Sequence, residues 1–193
     1  MSKKLLLILL IMPLVFSGCK NSHRVETAAV IENVSVERQN GQLCYTFYLL
    51  TEEETPNAVS IPADSFQEAQ KLARRSYIPN LTLAKLKLLL IHKDVVSEIL
   101  QTDIEYISTQ ASFSPVAYVA LCDDNALRRV RQNTRAQTMI ERQLILCKQQ
   151  HPQVNIDYLS VFNSYARKNE DGFYLPYITA EGDLRVSERK IEN

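Results

Sequence analysis

The sequence predicts an α/β (mixed α+β) domain whose mixed sheet opens with a β-hairpin and continues β-α-β-α-β, with helices packed on the sheet. Three observations carry that reading. Two strand-like runs flank Asn40-Gly41, a dipeptide suited to a two-residue hairpin turn because both residues accept positive φ. Short apolar runs at 86–91 and 116–122 alternate with longer stretches whose apolar residues recur every three or four positions. The composition, 46% hydrophobic and 23% charged over 193 residues, is that of a globular chain long enough for one core.

The elements follow in order. Residues 27–36 (TAAVIENVSV) are β-rich, and residues 43–50 (LCYTFYLL) are apolar on both faces, as a central strand would be. Residues 51–62 are expected to be a loop, with Glu52-Glu53-Glu54 as a solvated acidic run. Ser65-Phe66-Gln67-Glu68 fits a capping box, and Phe66, Ala69, Leu72, Ala73 and Tyr77 then keep helical spacing up to Ile78-Pro79-Asn80. After the strand at 86–91, residues 95–107 are expected to form one helix, with Val96, Ile99, Leu100, Ile104 and Ile107 on one face. Asp103 and Glu105, two apart on it, point to different sides and form no acid/base pair.

Ser114-Pro115 breaks the chain before the strand at 116–122, and Asp123-Asp124-Asn125 caps a short helix from Ala126. A longer helix over 134–150 turns Ala136, Met139, Ile140, Leu144 and Cys147 inward and stops at His151-Pro152. Residues 156–166 form a last helix. A turn at Asp171-Gly172 leads to an extended segment at 173–178, where Pro176 favours an edge position or a strand end. Residues 179–193 are expected to be a polar, frayed tail.

The first eighteen residues are read as a targeting segment rather than fold. Lys3 and Lys4 precede an apolar run from Leu5 to Phe16, too short to span roughly 30 Å of hydrocarbon at about 1.5 Å per residue. Phe16-Ser17-Gly18-Cys19 follows and is similar to a bacterial lipobox, in which the Cys is acylated and becomes the new N-terminus. The expected organisation is therefore a lipoprotein signal peptide at 1–18, a tether at 19–25, a single α/β domain at 26–178 and the tail. Lys+Arg and Asp+Glu balance at 22 each, and loss of Lys3 and Lys4 leaves 20 against 22, a balance of −2. That balance argues against nucleic-acid binding through bulk charge. Four glycines supply no Gly-rich phosphate loop, and three histidines make a His-rich metal site improbable.

Side chains that carry chemistry are few. Cys19 is the candidate lipid anchor. Cys44, Cys122 and Cys147 make no disulfide framework; they read as small buried hydrophobes, and a single Cys44–Cys122 bridge stays open. Arg128, Arg129, Arg131 and Arg135 fall within eight residues and form a candidate contact patch for an acidic partner or for anionic lipid. A catalytic reading would need His92 to converge with Asp123 or Asp124 in one cleft.

Taken in order, these parts resemble the N-terminal half of the spore germination receptor C subunits, the Ger(x)C lipoprotein family. The residues that carry the resemblance are Cys19, Arg24, Glu26 and Ala28-Ala29-Val30, then the Asn40-Gly41 turn and Ser65-Phe66-Gln67-Glu68-Ala69. Lys85 to Ile91 (KLKLLLI), Pro115 to Ala120 (PVAYVA), Asn125-Ala126-Leu127 and Phe173-Tyr174-Leu175-Pro176 follow. The resemblance implies a non-enzymatic lipoprotein without cofactor or metal, carrying diacylglycerol and a fatty acid (palmitate) on Cys19. It would sit on the extracytoplasmic face of the cell or spore inner membrane and act with integral-membrane A- and B-type subunits in nutrient-triggered germination. A solute-binding or sensing lipoprotein of another envelope system is the alternative, and an extracytoplasmic hydrolase using His92 is the third reading.

Overall fold

A computed structural model describes residues 28–55, 57–110, 113–167 and 172–192. The first two strands, β1 (Ala29–Gln39) and β2 (Gln42–Leu49), pair antiparallel across Asn40-Gly41. Both turn residues have positive φ, 51° and 85°, as a tight hairpin turn of this kind requires. β2 continues into β3 (Asn57–Pro62), antiparallel to it. The domain therefore opens with a three-strand meander, where the sequence suggests a hairpin and a loop. β3 escapes the hydrophobic pattern because it lies at the sheet edge and Ile61 alone of its side chains is fully buried.

The remaining elements are α1 (Phe66–Ser76), β4 (Leu81–Thr82), β5 (Leu88–His92), α2 (Val96–Thr102), α3 (Ile104–Thr109), β6 (Tyr118–Cys122), α4 (Asp124–Gln132), α5 (Thr134–Gln150), α6 (Tyr158–Ala166), β7 (Phe173–Glu181) and β8 (Asp183–Ile191). The strands form one mixed sheet in the order β3-β2-β1-β5-β6-β7-β8, with β4 beside the start of β1. β1, β5, β6 and β7 are mutually parallel. Every crossover moves the chain in the same direction across the sheet. A shared right-handed turn places the helices of the first two crossovers on one face, and α6 of the third joins them there, while α4 and α5 of that longer third connection pack on the opposite face. On the first face α1, α2, α3 and α6 bury Phe66, Ile99, Ile107 and Val161 against Val34, Phe47, Leu89 and Leu121. The other face is covered by α4 and α5, whose Leu127, Val130, Ile140 and Leu144 meet Leu88, Leu90, Ala120 and Ile178. Successive residues of β5 and β6 thus enter opposite cores, which is why both runs are apolar throughout.

Four further expectations are revised. The helix expected over 95–107 is two helices, broken at Asp103, whose side chain turns into the core. On α5, Met139 is 48% exposed while Ala136, Ile140, Leu144 and Cys147 are buried. The polar tail is β8, paired along its length with β7; its Arg185, Glu188, Arg189 and Lys190 suit an exposed edge strand. Gly172, at φ 70°, begins this last hairpin where a Cβ would lie 2.2 Å from the Ile191 carbonyl oxygen. Pro176 is in neither an edge strand nor a strand end. β6 and β7 pair only at Leu121–Tyr177 and Cys122–Ile178. Below that, Val154 bridges to Tyr174 and Asp157 to Tyr118, so Pro176 lies beyond the β6 ladder that would require its N–H.

Candidate contact surface

The parallel strands give the domain two ends. At the leading end β1, β5, β6 and β7 begin; at the trailing end they finish. The candidate anchor Cys19, with Arg24 and Glu26, lies outside the described residues. The chain enters the described fold at Ala28, at the leading end, where the Ala29 N–H donates to the Asn80 carbonyl at 3.1 Å.

The arginine patch is mostly at the trailing end, and it is less free than a sequence run suggests. Arg131 on α4 ion-pairs with Glu37 near the end of β1, and both are largely covered. Burial works against the Arg131 charge, but the Glu37 carboxylate more than offsets it, and the pKa is raised. Arg129 donates to the Gly182 carbonyl in the β7–β8 turn. Arg135 pairs with Glu54 at 2.7 Å, both well exposed, a pair of little energetic weight. Arg128 is exposed. The four side chains are thus divided among separate tasks. Arg128 with Arg129 forms the solvent-facing part, and Arg131 is a fastener between α4 and the sheet.

Beneath the patch is a polar layer that sequence reasoning missed. β1 turns Asn33, Ser35 and Glu37 toward α4 and α5, and all three are buried. Asn33 donates to Gln137 of α5, Ser35 meets the Tyr48 hydroxyl at 3.1 Å, and Glu37 takes Arg131. The signal was present as polar residues at every second position of a strand, but that pattern reads as a solvent face.

His92 ends β5 at the trailing end and is buried. Its Nδ1 accepts from the Asp94 N–H at 3.4 Å, and its Nε2 lies 3.4 Å from Asp124 Oδ1. Asp124 therefore meets His92, whereas Asp123 accepts from the Ala126 N–H at 2.7 Å as the cap of α4. The adjacent thiol, Cys122, is fully buried, and burial pushes its pKa far up, the opposite of an activated nucleophile. The cluster joins the β5–α2 turn to the start of α4. Among the described residues, no group of three or more His, Cys, Asp or Glu is gathered as metal ligands would be, and no helix is long and apolar enough to cross a membrane.

Cys44, Cys122 and Cys147 are free and buried. Cys44 on β2 and Cys122 on β6 are separated by β1 and β5. Three strand spacings amount to about 14 Å, so the bridge left open by the sequence does not form: a disulfide needs Cα atoms within about 7 Å.

Residues 21–180 match the family model described as the spore germination protein N-terminal domain. The chain belongs to that family. The matched segment contains β1 to β6, the six helices of the described residues and nearly all of β7; it includes the opening meander, the α4 cap and the arginines of α4 and α5. No curated protein and no solved structure matches the chain.

Proposed function

We propose that this chain is the lipid-anchored C-type subunit of a spore nutrient-germinant receptor, held on the extracytoplasmic face of the membrane through Cys19. It works by contact with integral-membrane A- and B-type subunits, without catalysis and without a metal or cofactor. The observation that carries the reading is the position of the family match. It begins at residue 21, two residues past the Cys of the lipobox-like Phe16-Ser17-Gly18-Cys19. An export signal and an acylation site ending at Cys19 would leave the germination domain to begin directly after the anchor, as a tethered domain requires. Two acyl chains anchor stably because each buried CH₂ contributes about 0.8 kcal/mol.

The geometry supports contact as the mode of action. Arg128 and Arg129 lie at the trailing end, away from the point where the tether joins, and present positive charge to a partner rather than to the anchor's own bilayer. The test is Cys19→Ala in spores, followed by membrane fractionation and a nutrient germination assay. The substituted protein is expected to leave the membrane fraction, and germination to slow. Unchanged fractionation together with normal germination overturns the reading.

A further inference from the structure

We propose that the leading end of the domain is seated in the bilayer interface, with Leu50, Tyr77, Val116 and Leu159 as the inserted side chains. This deepens the lipid-anchor reading and rests on it for the biological setting. Among the described residues seven large hydrophobic side chains are exposed, and these four are 52%, 64%, 72% and 52% accessible. They come from four separate loops and helix ends, yet all lie at one end of the sheet. The Leu50 N–H donates to the Val30 carbonyl at the start of β1. Tyr77 closes α1 just before the Asn80-Leu81 segment that pairs with Ala29. Val116 precedes β6, and the Leu159 N–H reaches the Pro115 carbonyl. Val116 also borders a groove of about 570 Å³, where Leu86, Tyr118 and Ile156 are joined by Lys85, Lys87, Glu141 and Asp157.

The occupant follows from where the chain enters. Eight residues lie between Cys19 and Ala28, and the nine steps they make, at about 3.3–3.6 Å each, span at most about 32 Å. β1 alone, with 11 residues, is about 36 Å long. To turn the trailing end toward the lipid, the tether would have to run back along the whole strand, and it is too short. The leading end therefore faces the bilayer. Its charge is mixed, with Arg74, Arg75 and Lys85 against Glu52 and Glu53, so the attraction comes from apolar burial and from the amphipathic Tyr77 ring rather than from lipid charge.

The experiment uses the chain from Cys19 onward, coupled through the Cys19 thiol to a maleimide headgroup in protein-free phosphatidylcholine vesicles. Coupling makes the result independent of whether the cell acylates Cys19, and the buried Cys44, Cys122 and Cys147 do not compete while the domain is folded. Amide hydrogen exchange is compared with that of the uncoupled chain in buffer. Exchange in the segments around Leu50, Tyr77, Val116 and Leu159 is expected to slow at least tenfold, equally at low and high salt. The Leu50→Ser, Tyr77→Ser, Val116→Ser, Leu159→Ser variant stays coupled and folded but loses the protection. Unchanged exchange at these segments on vesicles overturns the proposal, and so does protection at Arg128 and Arg129 instead. Protection that appears only in native membranes also overturns it, because the face would then dock on a protein. Failure of the anchor reading would show separately, as unchanged fractionation of Cys19→Ala.

Discussion

Asp103 shows how one side chain can reorganise a segment. Its carboxylate accepts from the Tyr45 hydroxyl at 2.6 Å and from the Phe66 N–H at 2.9 Å, joining β2, the start of α1 and the junction of α2 and α3. It is 1% exposed, while Glu105, two residues on, is exposed. Burial raises the Asp103 pKa, although both hydrogen bonds act to lower it; the same burial, with the carboxylate beside it, raises Tyr45. Asp103→Ala leaves the Tyr45 hydroxyl and the Phe66 N–H without partners, a loss expected at about 2–4 kcal/mol from two buried hydrogen bonds. A carboxyl whose folded pKa is raised binds its proton more tightly in the folded state. Its contribution to stability is therefore greatest at low pH and falls as pH rises from the ordinary carboxylate value through the raised one. The unfolding free energy of the wild type minus that of Asp103→Asn is expected to decline across that window and then level off. A flat difference in denaturant titrations against pH would contradict this.

At the scale of the element, ends were more legible than interiors. Ser65 accepts from the Glu68 N–H at 3.2 Å as its spacing foretells, although the Glu68 carboxylate returns to the Asp64 N–H rather than to that of Ser65. Asp123 caps α4 as its place after the strand foretells, whereas Asp157, which caps α6 by accepting from the Ser160 N–H at 2.9 Å, was not among the expected caps and starts that helix two residues later than its apolar pattern suggests. Asp123→Ala is expected to cost about 1 kcal/mol, read as a lower urea midpoint with unchanged slope. The misread elements share one cause. β3 and β8 are edge strands with most side chains in water, so they lack the apolar alternation that marks a half-buried strand. What makes them strands is backbone pairing with β2 and β7, which leaves little trace in side-chain pattern. The arginine run was legible as a cluster. Its division into a half-buried fastener, a turn contact and an exposed pair depends on Glu37, Gly182 and Glu54, which are 94, 53 and 81 residues away from their arginines.

At the scale of the molecule, the one-way progression of crossovers decides where everything sits. It sends the helices that follow β3 and β5, and the last helix before β7, to one face, and leaves the other to α4 and α5. It separates Cys44 from Cys122, brings His92 to Asp124 at the trailing end, and returns the chain to the leading end at Ile191. Three buried, unbridged thiols follow. In native protein without reductant, Cys44, Cys122 and Cys147 are expected to be inert to an aromatic disulfide reagent, and denaturant is expected to release all three. Release of one alone would show that Cys44 and Cys122 are joined.

The class of fold, the hairpin turn, the helix caps at Ser65 and Asp123, the apolar strands and the family were legible in the sequence, because each rests on local residue chemistry or on the order of short motifs. Only the tertiary structure decided which polar residues are buried, which arginines are free, where Asp103 turns inward and which exposed side chains gather at the leading end. These depend on partners tens of residues away in the chain, and a buried Asn33 or an edge strand such as β8 has the same local appearance in sequence as one facing water.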